Sequence, residues 1–452
     1  MRRWGWGVPV VAVVAVASAV AATPGSTAQP LRADGITRDA NGDLTDVEVG
    51  SGASYIPGTT VIETPGSLSP QQARLREQDR TWLDDGLRPG RGTAYEDLAD
   101  RALLDLHLLL QPNGALVAAN RYWWRHVWPR DASFAVAALS ATGRHADAER
   151  ILRFLAEVAP DNGVWHARYR PDGSGTPPDE RRRQLDGSGW VPWATWFWVE
   201  TNPDREHAAR VAQELAPIVV RSADALARSL REDDLPRPSP DYWEQGGTHL
   251  TLGIAAPASI GLRSAVALAP ALDVDPSTWQ AAARRLDDAI EREFGARGYP
   301  RTAVDTRPGR IGPNGYPILA ETPGRDAAVT FMGPPFAALR PDVLGPLRAS
   351  EQTLRVPNGG LRPGERWRTD NDVAWTPTTA LFALASAGVG DVDNAESLLT
   401  WLAEHRTPLG ALPEKVNERG EPASVAPLAW TASLVLLTLM ELEADLPVVP
   451  SP

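Results

Sequence analysis

From about residue 93 onward, apolar residues recur three or four positions apart, the period of a helix with a buried face. Twelve segments combine this spacing with helix start and stop signals: 94–110, 131–142, 145–159, 188–200, 206–230, 253–270, 276–294, 325–333, 338–351, 373–387, 391–405 and 428–443. No window shows a run of alternating strands. The segments are of two kinds, and they alternate. The even-numbered ones tend to be apolar on several faces, as in Ala132 to Leu139, Leu381 to Ala387 and Ala432 to Leu439. The odd-numbered ones, such as 145–159 and 276–294, are amphipathic, as an outer layer should be. The pattern predicts an all-α fold, either a solenoid or a closed (α/α)6 barrel of twelve helices spanning 93–445.

The loops separate these possibilities. Those entering the even segments carry unusual residues: Trp123-Trp124-Arg125-His126-Val127-Trp128-Pro129-Arg130-Asp131; then Gln184-Leu185-Asp186-Gly187; then Asp241-Tyr242-Trp243-Glu244-Gln245, with His249 following. Asp326 opens the eighth. Gly359, Gly360, Arg362, Trp367 and Trp375 precede the tenth, and Glu414 and Pro427-Leu428-Ala429-Trp430 precede the twelfth. Loops entering the odd segments are mostly short and plain, such as Thr142-Gly143 and Ala387-Gly388. In a barrel of six helical hairpins the inner helices run the same way, so the loops entering them gather at one end. A single pocket is expected there, whereas a solenoid would spread the same residues along a surface.

The flanks read differently. Residues 29–92 are rich in Gly, Pro, Thr, Ser and Asp, with turn signals at Asn41-Gly42 and Pro57-Gly58, and suggest an irregular arm too short for a sizeable β-sandwich. Residues 446–452 read as a tail. Arg2 and Arg3, an apolar run from Val8 to Ala22 and a small-residue exit near Ala21 or Ala28 make 1–28 an export signal. The chain is therefore expected to be secreted or in the cell envelope, without stable membrane insertion after cleavage; an uncleaved anchor is the alternative. No later segment reads as apolar enough to span a bilayer.

Composition narrows the chemistry. A net charge of -12 speaks against a nucleic-acid partner. With no Cys, disulfides and thiolate chemistry are excluded, and the seven His are scattered without metal-ligand spacing. Neither metal nor cofactor is expected, and a monomer is. Nine of the 17 Trp lie between Trp123 and Trp243. Trp beside Arg, Asp and Glu suits a sugar, whose C–H faces stack on rings and whose hydroxyls need polar partners. Trp193, Trp196 and Trp198, inside a helix, read as core; Trp128, Trp243 and Trp375, at loop–helix junctions, read as pocket. Cleaving a glycosidic bond with inversion needs one carboxylic acid and one carboxylate on opposite faces of the sugar. Glu244, beside Trp243, is the candidate acid, and Glu414, in a separate loop after Pro413, the candidate base.

These motifs, in this order from about residue 95 to 443, resemble glycoside hydrolase family 15, the glucoamylase-like enzymes, which include glucodextranase and trehalase members. The resemblance covers Trp128-Pro129-Arg130-Asp131, Trp165 to Tyr169, Gln184 to Gly187 and Tyr242-Trp243-Glu244 with His249. It continues through Asp326, Gly359-Gly360 with Arg362, Trp375, Leu412-Pro413-Glu414 and Pro427 to Trp430. It implies an (α/α)6 barrel and inverting, exo-acting hydrolysis of α-linked oligo- or polysaccharides with release of a terminal sugar, glucose by analogy. It implies Glu244 as acid and Glu414 as base. Arg130 and Asp131, with Arg362 on the same ring, would grip the terminal sugar, and Asp186 falls in a matching motif. A plain Arg–Asp pair capping a helix is the alternative for Arg130 and Asp131. The sequence departs from the family at Gln245, at Trp123-Trp124-Arg125-His126, and at Pro363 and Glu365. A non-catalytic sugar-binding or regulatory module on the same barrel stays open, as does a phosphorolytic relative; the presence of both carboxylates speaks against each.

Overall fold

The computed structural model describes residues 28–39, 42–244, 249–302, 324–367 and 372–452. The export signal and Gln245 lie outside the described residues. Strands β1 (Gly35–Arg38) and β2 (Leu44–Val47) form an antiparallel hairpin, followed by α1 (Pro70–Asp84). Then come α2 (Glu96–Leu109), α3 (Pro129–Ala141), α4 (His145–Val158), α5 (Asp186–Thr201), α6 (Arg205–Ser229), α7 (Leu252–Leu272) and α8 (Ser277–Glu293). A 3-10 turn at Ala327–Met332 is followed by α9 (Pro341–Leu354), β3 (Ala374–Trp375), α10 (Thr376–Gly388) and α11 (Val392–Glu404). The chain ends with β4 (Lys415–Val416), β5 (Pro422–Ala423) and α12 (Ala429–Glu443).

The helices form two concentric layers. Going around the inner one, α3 packs on α5, α5 on α7, α7 on the 3-10 turn, the turn on α10, α10 on α12, and α12 back on α3. That closure makes an (α/α)6 barrel and rules out a solenoid. The inner helices are buried on nearly every face because both layers and the axis cover them. The outer helices, α2, α4, α6, α8, α9 and α11, mostly bury one stripe, as α8 does with Trp279, Ala282, Ala283, Leu286, Ala289 and Ile290. The axis is filled. Phe134, Trp190, Trp193, Phe331 and Phe336 pack ring against ring with centroids 4.9–5.9 Å apart. Trp193, Trp196 and Trp198 are buried.

Each helix expected from periodicity meets an observed element, with one change of type. The segment at 325–333 is a 3-10 turn rather than an α-helix. Asp326 caps it, accepting from Ala328 N at 2.9 Å, and Gly333-Pro334-Pro335 stops it before a longer helix can form. The arm is less irregular than its composition suggests, because α1 lies within it. Only Asp79 and Leu83 of α1 are buried, so no apolar stripe betrayed it. Its signal was local: Ser69 and Gln72 form a capping box with Pro70 in the first turn. The expectation about apolar length also needs correcting. By length and composition α7 could cross a membrane, but it is an inner barrel helix and largely buried. The tail packs on the barrel, with Val449 buried and its N–H bonded to Pro335 O at 3.2 Å.

Two glycines let α5 and α7 touch. A methyl at Gly189 would lie 2.0 Å from the Pro257 carbonyl oxygen, and one at Gly261 would lie 2.5 Å from Gly189 Cα. Gly189→Ala should therefore force the inner helices apart and cost about 1–3 kcal/mol or more, read as a lower denaturation midpoint. An unchanged midpoint would mean that the two helices are not held at this spacing.

Candidate active site

The loops entering the inner helices converge on one end of the barrel, where they line a cavity of about 360 Å³. Trp128, Arg130 and Asp131 come from the start of α3, and Trp243 and Glu244 from the turn before α7. Trp375 stands at the start of α10, and Glu414 and Trp430 stand before and at the start of α12. Seven of the nine residues singled out in the sequence thus share one wall. Asp186 and Arg362 are not part of it. Asp186, buried at the start of α5, stands behind Arg130, with Oδ2 3.4 Å from Nη1. Arg362 lies on the stretch that pairs with the end of α9, its N–H bonded to Leu354 O at 3.0 Å. The next turn presents Pro363 and Trp367 to the cavity instead.

Arg130 is the buried cation at the base. It lies 3.3 Å from Asp131, 3.4 Å from Asp186 and 3.9 Å from Glu244, and its guanidinium sits over Trp430 at 4.6 Å. Burial pulls its pKa down, but Asp131, Asp186 and Glu244 together hold it above the usual value. Burial also pushes Asp131 up to about 6, with Arg130 opposing and Glu244 and Glu414 adding to the rise. Asp186 is pushed up to about 6 by burial, again against Arg130. The N-cap of α3, Trp128, makes no side-chain cap hydrogen bond, and Asp131 stands in the helix's first turn.

Glu244 sits on a constrained turn. Its φ is +56°, in the left-handed region that disfavours a side chain. Its N–H bonds to Asp241 O at 2.7 Å, and Trp243 N–H bonds to Asp241 Oδ1 at 3.0 Å. Arg301 fixes the turn from behind, bonding to Asp241 at 2.8 Å and Asp326 at 2.9 Å and lying 3.4 Å from the Trp243 ring centroid. Tyr242 donates its hydroxyl hydrogen bond to Asp326. The Glu244 carboxylate accepts from Trp128 Nε1 on one oxygen and from Arg181 Nη1 on the other.

Glu414 is held differently. Its N–H bonds to Val425 O at 2.8 Å and its carbonyl accepts from Thr376 N at 3.1 Å. Strand β4 of the small sheet β3-β4-β5 starts at the next residue. Its side chain accepts from Trp124 Nε1 at 3.1 Å and from the Ser424 hydroxyl, both neutral donors. An aromatic wall closes another side: Trp367 meets Trp243 and Trp375 edge-on, at 4.9 and 5.1 Å. The indole N–H groups of Trp243, Trp367, Trp375 and Trp430 are buried and find no protein partner. Unsatisfied buried donors are costly, and a ligand rich in hydroxyls would satisfy them.

Sequence reasoning did not single out Arg301, Arg168, Arg181 or Ser424. Trp124 and Asp326 were noted but given no role. No local pattern marks Arg301 or Ser424, which reach the site from other segments. Arg181 stands in the run Arg181-Arg182-Arg183, which composition alone reads as a solvated stretch.

No family model matches the chain. A curated relative, an uncharacterized glycosyl hydrolase of Methanocaldococcus jannaschii, is 23% identical over 370 residues, covering 76% of this chain and 55% of the relative. The chain thus spans about half the length of the curated relative it matches. Among solved structures, a wild-type glycosidase aligns with a TM-score of 0.62 at 21% identity, covering 77% of this chain and 96% of that one. A bacterial glucoamylase complexed with acarbose aligns with a TM-score of 0.63 at 18% identity, covering 83% of this chain and 59% of that one. Hormoconis resinae glucoamylase aligns with a TM-score of 0.56 at 14% identity, covering 75% and 70%. These likenesses establish a glucoamylase-like helical barrel.

The buried carboxyl of Asp131 generates a prediction about stability. Its folded pKa is raised from 3.8 to about 6, so between those values the folded state holds a proton that the unfolded state has lost. Stability from this group therefore falls as pH rises through that window. Asp131→Asn removes the effect, so the variant's stability relative to the wild type should rise as pH increases from about 4 to above about 6. Thermal denaturation of both proteins at the two pH values is the check. A gain independent of pH would mean that Asp131 is not a buried, proton-retaining carboxyl.

Proposed function

We propose that the protein is an inverting, exo-acting glycoside hydrolase that releases a terminal sugar, glucose in the first instance, from α-linked oligo- or polysaccharides. The observation that carries this is one cavity bordered by two carboxylates from separate loops, Glu244 and Glu414, with a buried Arg–Asp pair between the walls. In this reading Glu244 gives its proton to the glycosidic oxygen as the bond from that oxygen to the anomeric carbon breaks. Glu414 takes a proton from a water whose oxygen forms the new bond to that carbon from the opposite face. The product has the inverted, β configuration. Solvent then returns a proton to Glu244 and removes one from Glu414. Arg130 and Asp131 grip hydroxyls of the terminal sugar, Asp186 orients Arg130, and Trp128, Trp243 and Trp375 surround the ring. Arg130, Asp131 and Trp430 line the cavity, and their capping of the terminal unit in this reading supports exo action. Arg362 falls outside the wall and is given no part in the grip. The export signal makes the working place the cell exterior or envelope.

The test is a product assay on maltooligosaccharides, isomaltooligosaccharides and trehalose, with the anomer of released glucose followed by NMR. β-Glucose from one of them is expected, and it names the linkage as well. Glu244→Gln and Glu414→Gln should each lower kcat by about 10²–10⁴-fold while leaving the denaturation midpoint near that of the wild type. Release of α-glucose from the malto- or isomaltooligosaccharides, or of α-glucose without an equal amount of β-glucose from trehalose, would remove the inverting mechanism, and near-normal turnover of either variant would remove that residue from its role.

A further inference from the structure

The proton donor of the proposed reaction is not free in this structure. A carboxylic acid must aim one oxygen, with its proton, at the leaving oxygen. Both oxygens of Glu244 instead accept hydrogen bonds, one from Trp128 and one from Arg181. Trp128 is buried and fixed at the start of α3. Arg181 is the partner that can leave. Its side chain is 40% exposed, it stands on the loop before α5, and its other ion pair is with Asp179 at 3.3 Å.

By the definition of its role, the acid stands beside the leaving group. Whatever lies next to Glu244 on the cavity rim therefore faces the part of the substrate that departs. Arg168 also lines the cavity there. Its side chain is 2% exposed, lies 5.0 Å from the Trp128 ring centroid and bonds to Asp179, the same carboxylate that pairs with Arg181. Its buried Nε has no protein partner. The stretches 121–126 and 168–183, joined through the pairing of Val127 with Tyr169 and the bond from Arg168 to Trp123 O, carry seven Arg against Asp172, Asp179 and Glu180. Of the seven, Arg168 and Arg181 line the cavity, on the side of Glu244. Two guanidinium groups side by side favour an anion at this point of the rim. Tyr122 and Trp123, both exposed, meet edge-on at 4.8 Å beside it and offer a ring face to the same departing group.

We propose that Arg181 selects the leaving group, exchanging Glu244 for a carboxylate or phosphate carried by the departing portion of the substrate, with Arg168 behind it. The preferred substrates are then glycosides with a neutral terminal sugar and an anionic leaving portion. This rests on Glu244 acting as the general acid. Binding of the anion draws the guanidinium away and frees the Glu244 oxygen that must carry the proton, so the acid is released only when a matching leaving group is in place.

The experiment compares three substrates on the linkage the protein hydrolyses, sharing one terminal sugar and differing in the leaving group: an alditol, the corresponding aldonate, and the alditol phosphate. For at least one anionic substrate, kcat/KM should exceed that of the alditol by about tenfold or more at low salt. The gap should narrow in about 0.5 M NaCl, because an exposed charge is screened. Preference for the aldonate points to a carboxylate-bearing leaving group, and preference for the phosphate to a phosphoryl-bearing one. Arg181→Met should bring the ratio towards one and Arg181→Lys should keep most of it, whereas a merely structural role would not move a ratio between substrates. A ratio near one in the wild type, or an unchanged ratio in Arg181→Met, overturns the proposal while cleavage of the alditol leaves the proposed hydrolase standing. Absence of cleavage of all three removes both.

Discussion

A guanidinium removed from water at the bottom of the cavity sets the terms for everything around it. A buried cation is tolerated only when its charge is met and its hydrogens are used. Arg130 meets the demand on charge with Asp131, Asp186 and Glu244 within 4 Å and the face of Trp430, while its buried Nε finds no protein partner. These four partners come from the starts of α3, α5 and α12 and the turn before α7. One charge therefore ties together the ends of four inner helices, and the barrel brings those ends to the same place. Burial drives Asp131 and Asp186 up towards neutrality, with neighbouring carboxylates adding to the rise and Arg130 opposing it. Sites whose groups are perturbed in this way are tuned for work rather than for stability.

The two carboxylates at the mouth are placed by contrasting means. Glu414 is part of regular backbone: a chain stretch running into a three-stranded sheet, bonded on both sides. Glu244 stands on a turn in the left-handed region, which costs a non-glycine residue of order 1 kcal/mol or more. That cost persists because the turn is over-determined. Asp241 accepts from the N–H groups of Trp243 and Glu244, Arg301 clamps Asp241 to Asp326, and Tyr242 bonds to the same Asp326. Asp326 thus does two jobs, capping the short 3-10 turn and anchoring the Glu244 loop, and is fully buried.

Much of this was legible in the sequence, for a physical reason. Inner and outer helices face different surroundings, so their apolar patterns differ, and the alternation of the two patterns encodes a closed double layer. The entry loops stood out because residues such as Trp128, Arg130 and Glu244 are unusual at helix starts. What stayed hidden depends on contacts between distant segments. Arg301 reaches the Glu244 turn from 57 positions away, and Ser424 reaches Glu414 only through the folding back of β5. Arg362 is not among the residues lining the cavity: its N–H bonds to Leu354 O beside the end of α9, and Gly360, two positions before it, packs against Trp401 and Ala374. Helix α1 was missed because a helix lying on the outside with two buried side chains leaves almost no periodic trace.

The partners of the two carboxylates argue for a division of labour. Glu414 receives an indole N–H and a serine hydroxyl, donors that hold a carboxylate in place without neutralising it. Such a group stays aimed and available to accept a proton from water. Glu244 receives cations: Arg130 from the base and Arg181 from the rim. The first cannot move, because it is buried and held by two other carboxylates. The second stands on an exposed loop and shares Asp179 with Arg168, so a different anion can replace Glu244 without leaving either guanidinium unpaired. The asymmetry lies in reversibility rather than in residue type. Glu414, the proposed base, is held by donors fixed within the fold, and Glu244, the proposed acid, by a contact to an exposed loop that ligand binding can break.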